Sequence, residues 1–223
     1  VVAGPTAASA APSCFGRSAT VPGVLGTSGD DVIIGTPGDD IIEGRGGNDL
    51  ICGRGGDDEI SGGRGNDQVD GGDGDDEITG DSATTDVDAD SPVGRDQLLG
   101  GAGDDDIVGD NRSSSAGASG GERDRIDGGN GDDSLVGDSQ ALFGGGDARG
   151  GGDDVIDGGR GADSVVGDSS AAFGGDASGG GDDVIDGGEG NDYQLIGDSS
   201  TALGGTDGGN ATGGGDDVIS GGA

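Results

Sequence analysis

Aspartate recurs every ninth residue through the first part of this chain, at Asp31, Asp40, Asp49, Asp58, Asp67 and Asp76. The segments from Gly26 read GTSGDDVII, GTPGDDIIE, GRGGNDLIC, GRGGDDEIS, GGRGNDQVD and GGDGDDEIT. The fourth position is Gly, the fifth Asp or Asn, the sixth Asp, and the eighth Ile or Val. Carboxylates can do acid–base work, but that needs an isolated pair with separated pKa values. Here no pair stands out from its many copies. The chain has no histidine, which removes Ser-His-Asp and Cys-His nucleophile systems and imidazole zinc sites. Metal ligation remains. Carboxylates are hard oxygen donors, glycine turns expose carbonyls beside them, and Ca2+ takes about 6–8 such oxygens. The aspartates repel one another until a cation arrives and then become its ligands. Binding energy becomes folding energy, so the chain is expected to be disordered without calcium and folded with it.

The elements that hold these carboxylates can be read from the same period. Glycine permits the positive φ of a tight turn. The short piece between turns, such as Leu50-Ile51-Cys52, alternates as a strand does. Ile33, Ile42, Ile51, Ile60, Val69 and Ile78 would point inward and form an aliphatic ladder that no single repeat can bury alone. A conventional core is not available: 223 residues contain 60 Gly, three Phe, one Tyr, and no Trp or Met. With a net charge of -36, such a composition reads as disorder in plain water. The charge disfavours nucleic acid and anionic membrane as partners. No apolar run approaches the length of a membrane span.

The pattern resembles the RTX (repeat-in-toxin, hemolysin-type) calcium-binding nonapeptide, G-G-x-G-x-D-x-U-x. The resemblance covers nearly all of residues 26–222. It implies an all-β, right-handed parallel β-roll (β-solenoid) with two nonapeptides per coil. Multiple Ca2+ ions would then lie between turns, each shared by the sixth-position aspartates of successive turns on one side. After Thr79 the step is interrupted while the phase survives. Carried along it, the resemblance makes Asp96, Asp105, Asp133, Asp154, Asp163, Asp183, Asp192 and Asp217 metal ligands beside the six named above. In GERDRIDG, Glu122 stands where glycine is expected, which makes a calcium site there doubtful. GNDYQLIG has one residue too many, which predicts a bulge near Gln194.

The interruptions are Gly/Ser/Ala-rich inserts, and they repeat as well. They open with Gly-Asp at Asp81, Asp110, Asp138, Asp168 and Asp198, a second candidate column of cation ligands. Phe143, Phe173 and Leu203 recur at one offset inside them, and Val108, Val136, Val166 and Ile196 form an outward apolar row just before them. Either each insert folds back so that Phe143, Phe173 and Leu203 cover that row, or the inserts are mobile loops.

Two cysteines, Cys14 and Cys52, suggest one disulfide and an oxidising compartment, against two unrelated thiols. Ala8-Ser9-Ala10 has the form of a signal-peptidase site, so the first residues read as a signal-peptide tail or as an Ala-rich disordered terminus. The opening CFGRSATVPGVLG, with a later ICG, resembles the N-terminal cap of secreted actinobacterial calcium-binding repeat proteins. That likeness implies a secreted protein in which the cap crosses the apolar outer positions Val32, Ile34, Ile41 and Leu50, with Cys14 bonded to Cys52 and Phe15 beside it. The expected organisation is a leader at 1–13, a cap at 14–26, a compact roll at 27–80 and a roll with long inserts at 81–223.

The chain stops at GGGDDVISGGA, inside the pattern. Either it is truncated there or another molecule caps it, and stacking on a second copy would give a head-to-tail filament. The first functional reading is therefore a secreted, calcium-loaded structural, surface or filament component, and not an enzyme. The alternative is a calcium-dependent secretion or folding module of a larger RTX enzyme or toxin. Ice binding would need a threonine ladder, and only Thr27 and Thr36 line up. A carboxylate enzyme would need a pocket-forming apolar set that is not visible.

Overall fold

A computed structural model of the protein describes residues 12–21, 23–82, 93–114, 117–142, 146–171, 176–201 and 211–221. The short apolar pieces are strands, because alternate side chains can divide between an interior and solvent. They fall into two parallel sheets visited in turn. The first stacks β1 (Val32–Ile34), β3 (Leu50–Gly55), β5 (Gln68–Asp73), β7 (Gln97–Ala102), β11 (Arg125–Asn130), β15 (Val155–Gly161), β19 (Val184–Asp186) and β24 (Val218–Ser220), with β20 (Glu189–Gly190) also paired to β15. The second stacks β2 (Ile41–Gly46), β4 (Glu59–Arg64), β6 (Glu77–Thr79), β8 (Asp106–Val108), β12 (Ser134–Val136), β16 (Ser164–Val166) and β21 (Gln194–Ile196). One strand from each makes a coil, and the stacked coils form a parallel β-roll.

The register keeps one aliphatic row per sheet. Ile33, Ile51, Val69, Leu98, Ile126, Ile156 and Ile185 pair in sequence along the first. Ile42, Ile60, Ile78, Ile107, Leu135 and Val165 do so along the second. All of these are buried, and together they are the interior. Coils approach so closely at the turns that a Cβ on Gly44 would lie 2.1 Å from the carbonyl oxygen of Gly62, which excludes any other residue.

The inserts are ordered where they are described. β9 (Arg112–Ser113), β13 (Gln140–Ala141), β17 (Ser170–Ala171) and β22 (Ser200–Thr201) stack in parallel. So do β10 (Ala118–Ser119), β14 (Ala148–Arg149), β18 (Ala177–Ser178) and β23 (Ala211–Thr212). Ala141, Ala148, Ala171 and Ala177 form a small core of their own. The outward row Val108, Val136 and Val166 is buried. Against that sheet Arg112 folds back to reach Asp106 at 2.6 Å and Glu77 at 2.7 Å. Phe143, Phe173 and Leu203 lie outside the described residues. In the sequence the only sign of this alanine stack is spacing: Ala118, Ala148, Ala177 and Ala211 each precede a sixth-position aspartate by the same interval.

At the start, Cys14 and Cys52 form a disulfide. They pack with Val32, Ile34 and Leu50 on the outer face of β1 and β3, while Val21 and Val24 lie against the core. Ile41, expected under the cap, sits on the other sheet and is exposed, as is Phe15. The bulge falls at Tyr193. It is the extra residue ahead of Gln194, its amide donates to Asp163, and its ring is exposed.

Candidate metal centre

The sixth-position aspartates stand in two columns, one on each edge of the roll. Asp31, Asp49, Asp67, Asp96, Asp124, Asp154, Asp183 and Asp217 line the edge entering the first sheet. Asp40, Asp58, Asp76, Asp105, Asp133, Asp163 and Asp192 line the edge entering the second. Within each column the amide of one aspartate donates to Oδ1 of the aspartate one coil on, at 2.7–3.2 Å. The fifth position bonds the other way: its side chain accepts the amide of the next coil, as at Asp57 to Asp39 (3.1 Å) and Asp132 to Asp104 (2.9 Å). Adjacent side chains thus reach in opposite directions along the axis and carry the ladder around the last residues of each turn, which have no strand pairing.

Oδ1 is therefore structural, and Oδ2 is left over. In Asp49, Asp58, Asp67, Asp76, Asp96, Asp105, Asp124, Asp133, Asp154, Asp163 and Asp183, Oδ2 is buried with no hydrogen-bond partner. It faces the glycine that opens its own turn. A Cβ on Gly53 would lie 2.2 Å from Oδ2 of Asp58, and one on Gly100 2.2 Å from that of Asp105. A buried polar group without a partner costs about 1–3 kcal/mol, and more if charged. Neighbouring strands lie about 4.8 Å apart, and two carboxylates at that distance repel by roughly 3 kcal/mol at an effective dielectric of about 20. A whole domain is stable by only about 5–15 kcal/mol. Rows of this length need countercharge. Among the described residues no three carboxylates or thiols converge on one point. A cation held here takes its other ligands from main-chain carbonyls, as a hard divalent ion such as Ca2+ does. The donor set fits that ion.

Burial pushes these carboxyls above their ordinary value. Asp76 rises to about 6, Asp105 and Asp133 to about 7, Asp154 to about 8 and Asp96 to about 9. Asp124 is also well raised. In each case burial is the main cause, opposed by the amide of the preceding coil and reinforced by neighbouring carboxylates.

Three positions differ from what the repeat alone implies. Asp31 and Asp40 begin the two columns, but their Oδ2 atoms are not free. Oδ2 of Asp31 accepts from the amide (2.7 Å) and hydroxyl (2.8 Å) of Thr27, and Oδ2 of Asp40 accepts from the amide of Thr36. Although burial acts against it, these bonds and one from Thr20 hold the Asp31 carboxyl below the usual range. The two threonines thus close the first turns from within. The third position is Asp124. Glu122 does stand in place of glycine, but its side chain points outward to Arg95 at 3.4 Å, and Asp124 keeps its rung with a free Oδ2.

A family model described as an RTX calcium-binding nonapeptide repeat, in four copies, matches residues 25–60, 53–83, 93–111, 118–141, 150–171, 178–193 and 211–223. No curated protein and no solved structure matches the chain significantly.

Proposed function

Since the chain belongs to the RTX calcium-binding nonapeptide repeat family, we propose that it is a secreted, non-catalytic β-roll that multiple Ca2+ ions fold into a structural or surface component outside the cell. The observation that carries this reading is the row of unpartnered Oδ2 atoms running through nearly every coil. A cation needed at each step along the stack is a building material and not a local cofactor. The Cys14–Cys52 disulfide supports an oxidising compartment. No helix among the described residues is long and apolar enough to cross a membrane.

The same reading includes head-to-tail association. Ile219 of β24 continues the inward row past Ile185 and is 46 % exposed, a face that another coil can cover. Two different end faces make a heterologous contact, which propagates when it does not close. The test is negative-stain electron microscopy of the disulfide-intact chain in millimolar calcium and in chelator. Long thin fibres only with calcium support a filament subunit. Single short rods would overturn association and favour a calcium-folded module of a larger protein.

A further inference from the structure

A second row of carboxylates lies beside the sixth-position column, on one edge only. On the other edge the turns run unbroken, as in Gly71–Asp76 and Gly128–Asp133. From Gly80 onward the edge entering the first sheet has its turns split after the second residue. Gly80-Asp81 is followed by an insert and then Gly94-Arg95-Asp96. Gly137-Asp138 is followed by an insert and then Gly152-Asp153-Asp154.

The two halves of each split turn close again. A Cβ on Gly80, Gly109, Gly137 or Gly167 would lie 2.2–2.4 Å from Oδ2 of the aspartate that ends the turn, as Gly71 does from Asp76 at 2.2 Å in an unbroken one. What changes is the second residue. After the first two, which have Thr27 and Thr36, unbroken turns put a glycine or arginine there with positive φ, such as Gly63 at 103° and Gly72 at 118°. The split turns put an aspartate there, and Asp110, Asp138 and Asp168 are completely buried.

These aspartates stack on one another through their main chains. Asp138 accepts the amide of Gly152 at 3.0 Å, and Asp168 that of Gly181 at 3.1 Å. That glycine also lies against the sixth-position carboxylate, since a Cβ on Gly152 would be 2.9 Å from Oδ1 of Asp154. The Asp81 and Asp138 turns therefore each hold two carboxylates around one glycine, Gly94 and Gly152 respectively. In the coil with Glu122 the glycine amide is lost, and the carboxylate oxygens of Asp110 have no amide donor and lie against the Asp81 carboxyl. Oδ1 of Asp81 and Oδ2 of Asp168 are likewise buried and unpartnered. The negative oxygens are two deep along this edge.

We propose that the split turns are a second class of calcium site, in which the aspartate that opens each insert joins the sixth-position aspartate of its turn as a ligand. It takes the place of turn carbonyls that the insert carries away from the edge. Two carboxylates in one turn raise the ligand charge, and ligand charge is one determinant of calcium affinity. These sites therefore bind calcium more tightly than those of the unbroken edge.

This inference rests on the calcium reading, and one experiment separates the two. Calcium is titrated calorimetrically into the metal-stripped full chain. The same is done with a variant carrying Asp110→Asn, Asp138→Asn and Asp168→Asn, and circular dichroism records the fold of each. The wild type should show a tight and a weaker class of ions. The variant should lose about three tight ions and keep the weaker class. Unchanged stoichiometry and affinity in the variant would overturn the second row alone, and a wild type that binds no calcium would overturn the calcium reading itself. If the triple variant does not fold in calcium, Asp110→Asn decides, because among the described residues that side chain accepts no main-chain amide and meets only the Asp81 carboxyl. It should cost one tight ion, and a full complement would count against the proposal.

Discussion

The two edges of the roll carry the same aspartate ladder and differ in what surrounds it. On the unbroken edge each turn is a few residues of glycine and aspartate, open to solvent on its outer side. On the split edge, inserts pass through the turn and cover it, and burial raises the carboxyls of Asp124 and Asp154 further than those of Asp76 or Asp133. Yet rungs 18 residues apart in the first coils and 28 to 34 apart in the later ones keep the same bonds. Coil register therefore belongs to the axial contacts, the aliphatic rows and the ladder bonds, and not to turn length. Loop-closure entropy grows only slowly with length, so a turn whose two ends are held can take up an insert at modest cost.

The largest test of this comparison is calcium removal. If both edges depend on the cation, chelator should abolish the strand signal of the whole chain in far-ultraviolet circular dichroism, and calcium should restore it. A spectrum that stays strand-rich in chelator would sink the idea that the ladder needs countercharge.

Acidity should then separate the middle coils of the split edge from the rest of the ladder. The folded-state carboxyls lie above their ordinary value of 3.8, so the metal-free roll binds more protons than the unfolded chain. Its stability is fully present below about pH 4 and falls as pH rises through the folded values. Loss begins at about 6 to 7, with Asp76, Asp105 and Asp133 of the unbroken edge and Asp183 of the split edge. It ends on the split edge, where Asp154 and Asp96 titrate at about 8 and about 9. Structure that appears on acidification in chelator and melts over this range is the expected outcome. A pH-independent signal would contradict the burial.

Next comes the cap. Replacing Cys14 and Cys52 by serine reopens a loop with a sequence separation of 38, which corresponds to about 4 kcal/mol of chain entropy. Hydrogen exchange should quicken in β1 and β3 and stay slow in β11 to β16. Uniform acceleration would mean that the coils fold as one block.

The turn glycines compare the edges directly. Gly100→Ala meets main-chain and carboxylate atoms at 2.5 and 2.2 Å on the unbroken edge, and Gly109→Ala meets them at 1.7 and 2.4 Å on the split edge. Each should cost about 1–3 kcal/mol in thermal unfolding with calcium. A clearly smaller cost for Gly109→Ala would show that the insert gives its turn slack.

The smallest effect is a gain. Arg45 has a φ of 79°, in the left-handed region at a turn position held by glycine at Gly63, Gly72, Gly101, Gly129, Gly159 and Gly188. Its contact with Glu43 is an exposed pair at 3.8 Å, which contributes little. Arg45→Gly should stabilise by up to about 1 kcal/mol as the strain is relieved. A loss would mean that the side chain holds something more than that pair.

The period by itself determined the short strand, the inward aliphatic row and the sixth-position aspartates, because each of these is a requirement local to one nonapeptide, while the two-nonapeptide coil came from the family likeness. The likeness to a known cap anticipated the Cys14–Cys52 bond. Only the tertiary structure decided that Oδ1 is bonded and Oδ2 free, since the amide that Oδ1 accepts lies one coil away. It also decided that Thr27 and Thr36 close the first turns, that Asp124 keeps its rung despite Glu122, and that the inserts stack on alanine. Along the chain Glu122 is an error in a pattern. In three dimensions its side chain has room to turn outward, and the rung is held by Asp96 and Asp154 from the coils on either side.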